Sequence, residues 1–337
     1  MRATFITAPG KIEVRDIPEP TIRRPTDAVV RITASCVCGS DLWSYRGVTS
    51  VDKAMQMGHE FLGEVVEIGS AVSRLKVGDF VVSPFTTCDN TCELCRAGFH
   101  SACRDLGFYA GCQAEYTRAP NADGTLVAVH DHTPEQIPSL LACSDVMGTG
   151  WHAAVSAGAG PGKTVVVVGD GAVGLCGIIA AKQLGAERIV AMSRHQSRQQ
   201  LARIFGATDI VAERGTEGID AILDLTDGIG AEAVLECVGT RAAMEQSIGI
   251  TRVGHCIGFV GVPHGVEMPL EPFFRRNIGL RGGMAPVRAY LPRIVELVQA
   301  GTIDPGRVFD LTLPLDEVAQ AYRAMNERRA IKVLLQP

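Results

Sequence analysis

Residues 164–177 read TVVVVGDGAVGLCG, and the fold turns on this stretch. Four successive valines make a strand apolar on both faces, and Gly169, Gly171 and Gly174 follow in the order G-x-G-x-x-G. Glycines alone are weak evidence of a ligand. Between a buried strand and a helix they carry a mechanism: the backbone can turn tightly and approach a pyrophosphate, which free N–H groups and the helix dipole stabilise. The alternative is a tight strand–helix turn that binds nothing. The surroundings decide between them: a second strand, RIVAM (188–192), a helix, SRQQLARIFG (197–206), and the strands AVLECVG (233–239) and HCIGFVG (255–261) follow. Strands alternating with helices predict a parallel sheet covered on both faces.

This part of the chain therefore reads as an α/β Rossmann doubly wound sheet over residues 149–285. The expected cofactor contacts are Gly169, Gly171, Ala172, Val173 and Gly174, with Cys237 and Val238 at the end of a later strand. An NAD site needs an acidic residue at the end of the second strand to hold the ribose hydroxyls. Here that strand ends in Ser193-Arg194-His195, with Arg198 close behind. With no carboxylate to repel a 2′-phosphate and two guanidinium groups to bind it, NADP(H) is expected, NAD(H) remaining possible.

Outward from the Rossmann segment the texture changes. The first ~120 residues carry short β-branched runs, DAVVRITASCVC (27–38), FLGEVVEIG (61–69) and DFVVSPF (79–85), separated by turn residues, which predicts an antiparallel barrel-like domain. Residues 1–148 and 286–337 are assigned to it. Thr133-Pro134-Glu135-Gln136 has the form of a helix start. The 337 residues are 46% hydrophobic and 20% charged, with a net charge of −5, which argues against a nucleic-acid or anionic-membrane surface. No run approaches the ~18 apolar residues of a membrane span, and the first residues lack a signal-peptide core, so a cytoplasmic protein is expected.

Eleven cysteines in such a chain point to metal before disulfides. CDNTCELCRAGFHSAC (88–103) offers Cys88, Cys92, Cys95 and Cys103, four thiolates suited to a closed structural zinc site. The first gap is three residues, with Asp89 inside it. A second constellation is open: Cys38 in CVCGSD, and His59 and Glu60 in MGHEFLG. Position 63 is glycine, which excludes the helical H-E-x-x-H motif.

Taken together, CGSD, GHExxGxVxxxG, the four-cysteine lobe, the turn at Gly78-Asp79 and GxGxxG resemble the zinc-dependent medium-chain alcohol dehydrogenases over essentially the whole chain. The resemblance implies a GroES-like β-barrel catalytic domain interrupted by the Rossmann domain. It also implies two zinc ions, one catalytic on Cys38, His59 and Asp145 and one structural. Glu60 resembles an exchangeable ligand of the catalytic ion. Cys143 rivals Asp145 for the third position. Ser40 resembles the hydroxyl that takes the substrate proton, Asp41 the carboxylate that orients His59, and Lys332 a basic residue reaching a cofactor phosphate. Trp43 stands where many members carry a proton-accepting histidine. The implied reaction is hydride transfer between an alcohol, or its aldehyde or ketone, and the nicotinamide. Polyol, aminoalcohol or aldehyde-type substrates and a non-catalytic NADP-binding protein are the alternatives. The small-molecule substrate is the expected partner, and strands 255–261 and 278–284 are expected to pair copies into a homodimer or homotetramer.

Overall fold

The computed structural model describes residues 1–337, which divide into one unit of Met1–Asp145 with Pro286–Pro337 and a second of Val146–Ala285. The first division falls a few residues before the expected 148.

In the first unit the long strand Ala28–Val37 organises the sheet. Its β-branched and small residues pair antiparallel with Phe61–Ile68 on one side and with Lys332–Gln336 on the other, while Tyr116–Ala119 pairs with its first half. The seven-stranded sheet runs Val127–Ala128, Phe80–Ser83, Phe61–Ile68, Ala28–Val37, Lys332–Gln336, Phe309–Pro314, with Tyr116–Ala119 as the seventh strand off this path. Inward residues Val30, Ile32, Phe61, Val65 and Val81 form one core. A second core gathers Ile6, Val37, Leu42, Leu335 and one face of the helix Val318–Asn326, including Tyr322.

Register is what positions the chemistry. Ser35 faces Phe61, so the chain leaving one strand at 36–38 passes the chain entering the other at 58–60. Val333 faces Val37, so the last strand brings Lys332 to the same place from the far end of the sequence. The predicted helix start forms: Thr133 and Gln136 complete a capping box, followed by a 3-10 turn and the helix Ile137–Ala142.

The second unit is a six-stranded, all-parallel sheet in the order Asp209–Val211, Arg188–Met192, Thr164–Val168, Ala231–Glu236, Thr251–Phe259, Gly279–Gly282. Chain order reverses between Thr164–Val168 and Ala231–Glu236, the crevice where doubly wound sheets bind ligands. Val168 pairs with both Met192 and Glu236, so Gly169, Ser193 and Cys237 emerge along one sheet edge. The helix Ala172–Gln183 lies so close to its strand that a Cβ on Gly174 would meet the Gly169 carbonyl oxygen at 2.0 Å. Glycine there is a packing necessity. No helix is long and apolar enough to cross a membrane.

Candidate active site and metal lobe

Cys38, His59, Glu60 and Asp145 offer ligand atoms that all lie within 4.8 Å of one another. Asp145 Oδ2 is 3.4 Å from His59 Nε2 and 3.6 Å from Cys38 Sγ. The rival, Cys143, is buried and donates its thiol to the Ser139 carbonyl at 3.1 Å. The turn that lets His59 and Glu60 serve one site is set by Gly58, whose φ is +96° and whose place for a Cβ is filled by the Gln113 backbone nitrogen at 2.4 Å. An L side chain there would strain the backbone and collide.

The electrostatics call for a cation. Burial alone would lower the basicity of His59, but the Cys38 sulfur and the Asp41 and Asp145 carboxylates push its pKa well above the ordinary value. Burial, then Asp145 and Glu60, pushes the Cys38 thiol up. The four donors thus form one compact cluster that a positive ion would stabilise. Sulfur, imidazole nitrogen and carboxylate oxygen are the ligand types Zn²⁺ takes, and the buried Glu60 Oε2 has no hydrogen-bond partner.

Asp41 stands behind the site at the start of the short helix Asp41–Tyr45. Its Oδ1 is 3.6 Å from His59 Nδ1, and its Oδ2 accepts from the Cys38 backbone N–H at 2.9 Å and from Gln113 Nε2 at 3.2 Å. Gln113 also donates to the Cys36 carbonyl at 3.1 Å and accepts from the Tyr322 hydroxyl at 3.1 Å. Sequence reasoning missed Gln113 and Tyr322, since no motif marks residues that act on the site only through Asp41. Ser40 is exposed and its hydroxyl makes no capping bond. The Phe85 ring meets the His59 imidazole edge-on at 6.3 Å between centroids.

Lys332 is a correction. Expected on a cofactor phosphate, it is 1% exposed and donates to Glu60 Oε1 at 2.7 Å and to the Val37 carbonyl at 3.3 Å. Its register beside Val37 sends the amine into the interior, where Glu60 is the only carboxylate it bonds.

Cys88 is a second correction. The lobe brings together Asp89, Cys92, Cys95 and Cys103, with Cys92 and Cys103 sulfurs 3.9 Å apart. Two thiolates on a tetrahedral zinc with ~2.3 Å bonds stand about 3.8 Å apart, so the spacing fits. Cys88 is locked against Thr125 through its N–H (3.0 Å) and carbonyl (3.1 Å), and its thiol turns to the Gly124 carbonyl at 3.6 Å. Cys88 still packs beside Cys95 and Cys103, but with its backbone and thiol held by Thr125 and Gly124 it is Asp89 that joins the donor group. Burial pushes the Cys88 thiol up to about 11. Against the opposing pull of burial, the Thr91 and Cys92 N–H groups hold the Asp89 carboxyl down at about 2, ready to bind a cation at neutral pH.

In the second unit Gly169 takes φ +118°, and Val238 packs over it. Gly171 caps the helix that begins with Ala172 and Val173. Glu236, buried and unremarked in the sequence, accepts from the Val238 and Gly239 N–H groups at 3.0 and 2.8 Å and so fixes the turn that follows Cys237. Arg194 is exposed. Ser193 and Arg198 both bind Asp170, the residue between the first two glycines: Ser193 Oγ donates to Oδ2 at 2.7 Å and Arg198 Nη1 to Oδ1 at 3.2 Å. This carboxylate was not foreseen.

A chain that carries a doubly wound nucleotide fold and, in its other unit, a sulfur–imidazole–carboxylate donor set belongs by class with the zinc-binding nicotinamide oxidoreductases. Comparison with known proteins narrows this. The family model described as "Alcohol dehydrogenase GroES-like domain" matches residues 24–131, and that described as "Zinc-binding dehydrogenase" matches residues 172–300. The chain is 35% identical to zinc-type alcohol dehydrogenase B of Aspergillus flavus, over 99% of this chain and 81% of that one. Among solved structures it is similar to the alcohol dehydrogenase TADH from Thermus sp. ATN1, with 31% identity, a TM-score of 0.91 and coverage of 100% and 99% of the two chains. It is also similar to an NAD-dependent alcohol dehydrogenase, with 28% identity, a TM-score of 0.86 and coverage of 100% of both chains. The chain belongs to the zinc-dependent medium-chain alcohol dehydrogenases, and its first unit carries their GroES-like fold. It is an oxidoreductase with a small-molecule substrate.

Proposed function

We propose that this enzyme transfers hydride between a small alcohol, or the corresponding aldehyde or ketone, and NADP(H), with one catalytic and one structural zinc per chain. The observation that carries the reading is the convergence of Cys38, His59 and Asp145, far apart in sequence, on a shared centre with Asp41 aimed at His59 from behind. Zinc bound there supplies a Lewis acid that makes a hydroxyl easier to ionise and a carbonyl more electrophilic. The remaining tasks belong to the chain. Asp41 fixes the His59 ring, and Gln113 and Tyr322 fix Asp41. Lys332 holds Glu60 at the rim of the donor set, leaving Cys38, His59 and Asp145 as the resident ligands. Ser40 Oγ takes the proton of the alcohol as its own hydroxyl proton passes to water, since Trp43 cannot accept it and Ser40 is exposed. Phe85 gives the site an apolar wall beside His59, which suits aliphatic or aromatic substrates. Asp89, Cys92, Cys95 and Cys103 hold the structural ion.

The preference for NADP(H) rests on Ser193-Arg194, with no acidic residue closing the strand Arg188–Met192. The edge position of Gly279–Gly282 in its sheet supports association of copies through that strand. A dimer or tetramer in the cytoplasm remains the expectation. Turnover screened over primary, secondary and polyol substrates with both nicotinamides tests the reaction class. Replacing Arg194 with alanine should weaken NADPH about tenfold while leaving NADH within about twofold, the loss of one charge-assisted contact. Equal losses for both dinucleotides would reject the phosphate role.

A further inference from the structure

From the glycine turn, the geometry points to Asp170 as a specificity-determining residue that opposes the 2′-phosphate of the nucleotide; the inference rests on the cofactor site proposed above. Asp170 projects across to the end of the second strand. Its carboxylate engages the two groups best placed to receive a phosphate: the Ser193 hydroxyl at 2.7 Å and the Arg198 guanidinium at 3.2 Å. Arg198 also donates to the Asp170 carbonyl at 3.2 Å. The pair is largely buried, and Gln199 Nε2 adds a bond to the Ser193 carbonyl at 2.8 Å, so the cluster is built rather than incidental.

In effect the protein carries its own anion where the adenosine ribose is expected. A carboxylate beside the end of the second strand suits ribose hydroxyls, which donate to it, and repels a phosphate dianion. Arg198 can serve a 2′-phosphate only by sharing or leaving Asp170. Arg194, exposed and outside the cluster, then stands as the uncommitted guanidinium on that edge. A carboxylate is thus present after all, delivered by the glycine turn in place of the strand end, and it narrows the margin by which Arg194 favours the phosphorylated dinucleotide.

The test is binding to the intact, zinc-loaded protein, read by calorimetry with NADPH, NADH, adenosine 2′,5′-bisphosphate and 5′-AMP. Asp170→Asn keeps the shape and removes the charge. Binding of the two 2′-phosphorylated ligands should tighten by about tenfold or more, the size of a charge-assisted contact. NADH and 5′-AMP should hold or weaken. Asp170→Ser serves as the second variant should the amide disturb the turn, with the same expected direction. Equal changes for phosphorylated and unphosphorylated ligands, or no change, would reduce Asp170 to a strap on the glycine turn and overturn the proposal. The two readings fail separately. A wild type that favours NADH, with Asp170→Asn favouring NADPH, rejects the NADP(H) preference and keeps Asp170 as selector. A wild type that favours NADPH with an indifferent Asp170→Asn does the reverse.

Discussion

Replacing His59 with alanine should lower turnover by at least about 10³-fold while dinucleotide binding stays within about twofold. The size follows from the several kcal/mol that a Lewis-acid metal contributes to stabilising charge in the transition state. His59 sits where Cys38, Asp145 and Glu60 converge, and its second nitrogen faces Asp41. Its loss would remove one of the proposed ligands and leave the sulfur and carboxylates without it. The residues proposed to bind the nucleotide belong to the other unit, which is why binding and turnover should separate. Steady-state kinetics beside fluorescence titration with NADPH reads both quantities. Turnover within tenfold of wild type would remove His59 from the chemistry.

Lys332→Met carries the largest expected effect on stability. Lys332 and Glu60 are 1% and 0% exposed, 2.7 Å apart, and removing one partner of such a pair costs about 3–5 kcal/mol because the other charge is left buried without compensation. Burial alone would discharge the amine, yet Cys36 and Glu60 keep its pKa well above the ordinary value; burial also pushes the Glu60 carboxyl up, and the 2.7 Å contact with Lys332 opposes that shift. Chemical denaturation should show the loss, and the double variant Lys332→Met, Glu60→Gln should recover most of it, since the orphaned charge is gone. NADPH affinity should be unmoved. A tenfold loss of NADPH affinity with unchanged stability would return Lys332 to the cofactor phosphate.

The Rossmann segment was legible because its signal is local. Four valines, three spaced glycines and an apolar helix state a strand, a turn and a packing distance within a dozen residues, and Gly174 against Gly169 is that distance made visible. The donor set Cys38, His59 and Asp145 was reached through motif resemblance, not spacing, because the sheet register that joins residues 35 and 61 is not written in either segment alone. Where reading failed, direction failed. Cys88 and Asp89 are neighbours with equal claims by chemistry, and the bonds that hold Cys88 to Thr125, 37 residues from it, go with Asp89 joining the donor group. Lys332 was placed correctly on the last strand, but a strand's two faces differ by one residue, and the inward face leads to Glu60. Asp170 is not legible as a ribose-side acid because such a residue is expected at the strand end, whereas this carboxylate comes from a different loop.

The most direct measurement is anomalous X-ray scattering at the zinc edge from crystals of the zinc-loaded enzyme. Two peaks per chain are expected, one bounded by Cys38, His59 and Asp145 with Glu60 at its margin, and one bounded by Asp89, Cys92, Cys95 and Cys103 with Cys88 outside the ligand set. A map in which the first peak is missing, and its three side chains diverge, would contradict the account at its centre.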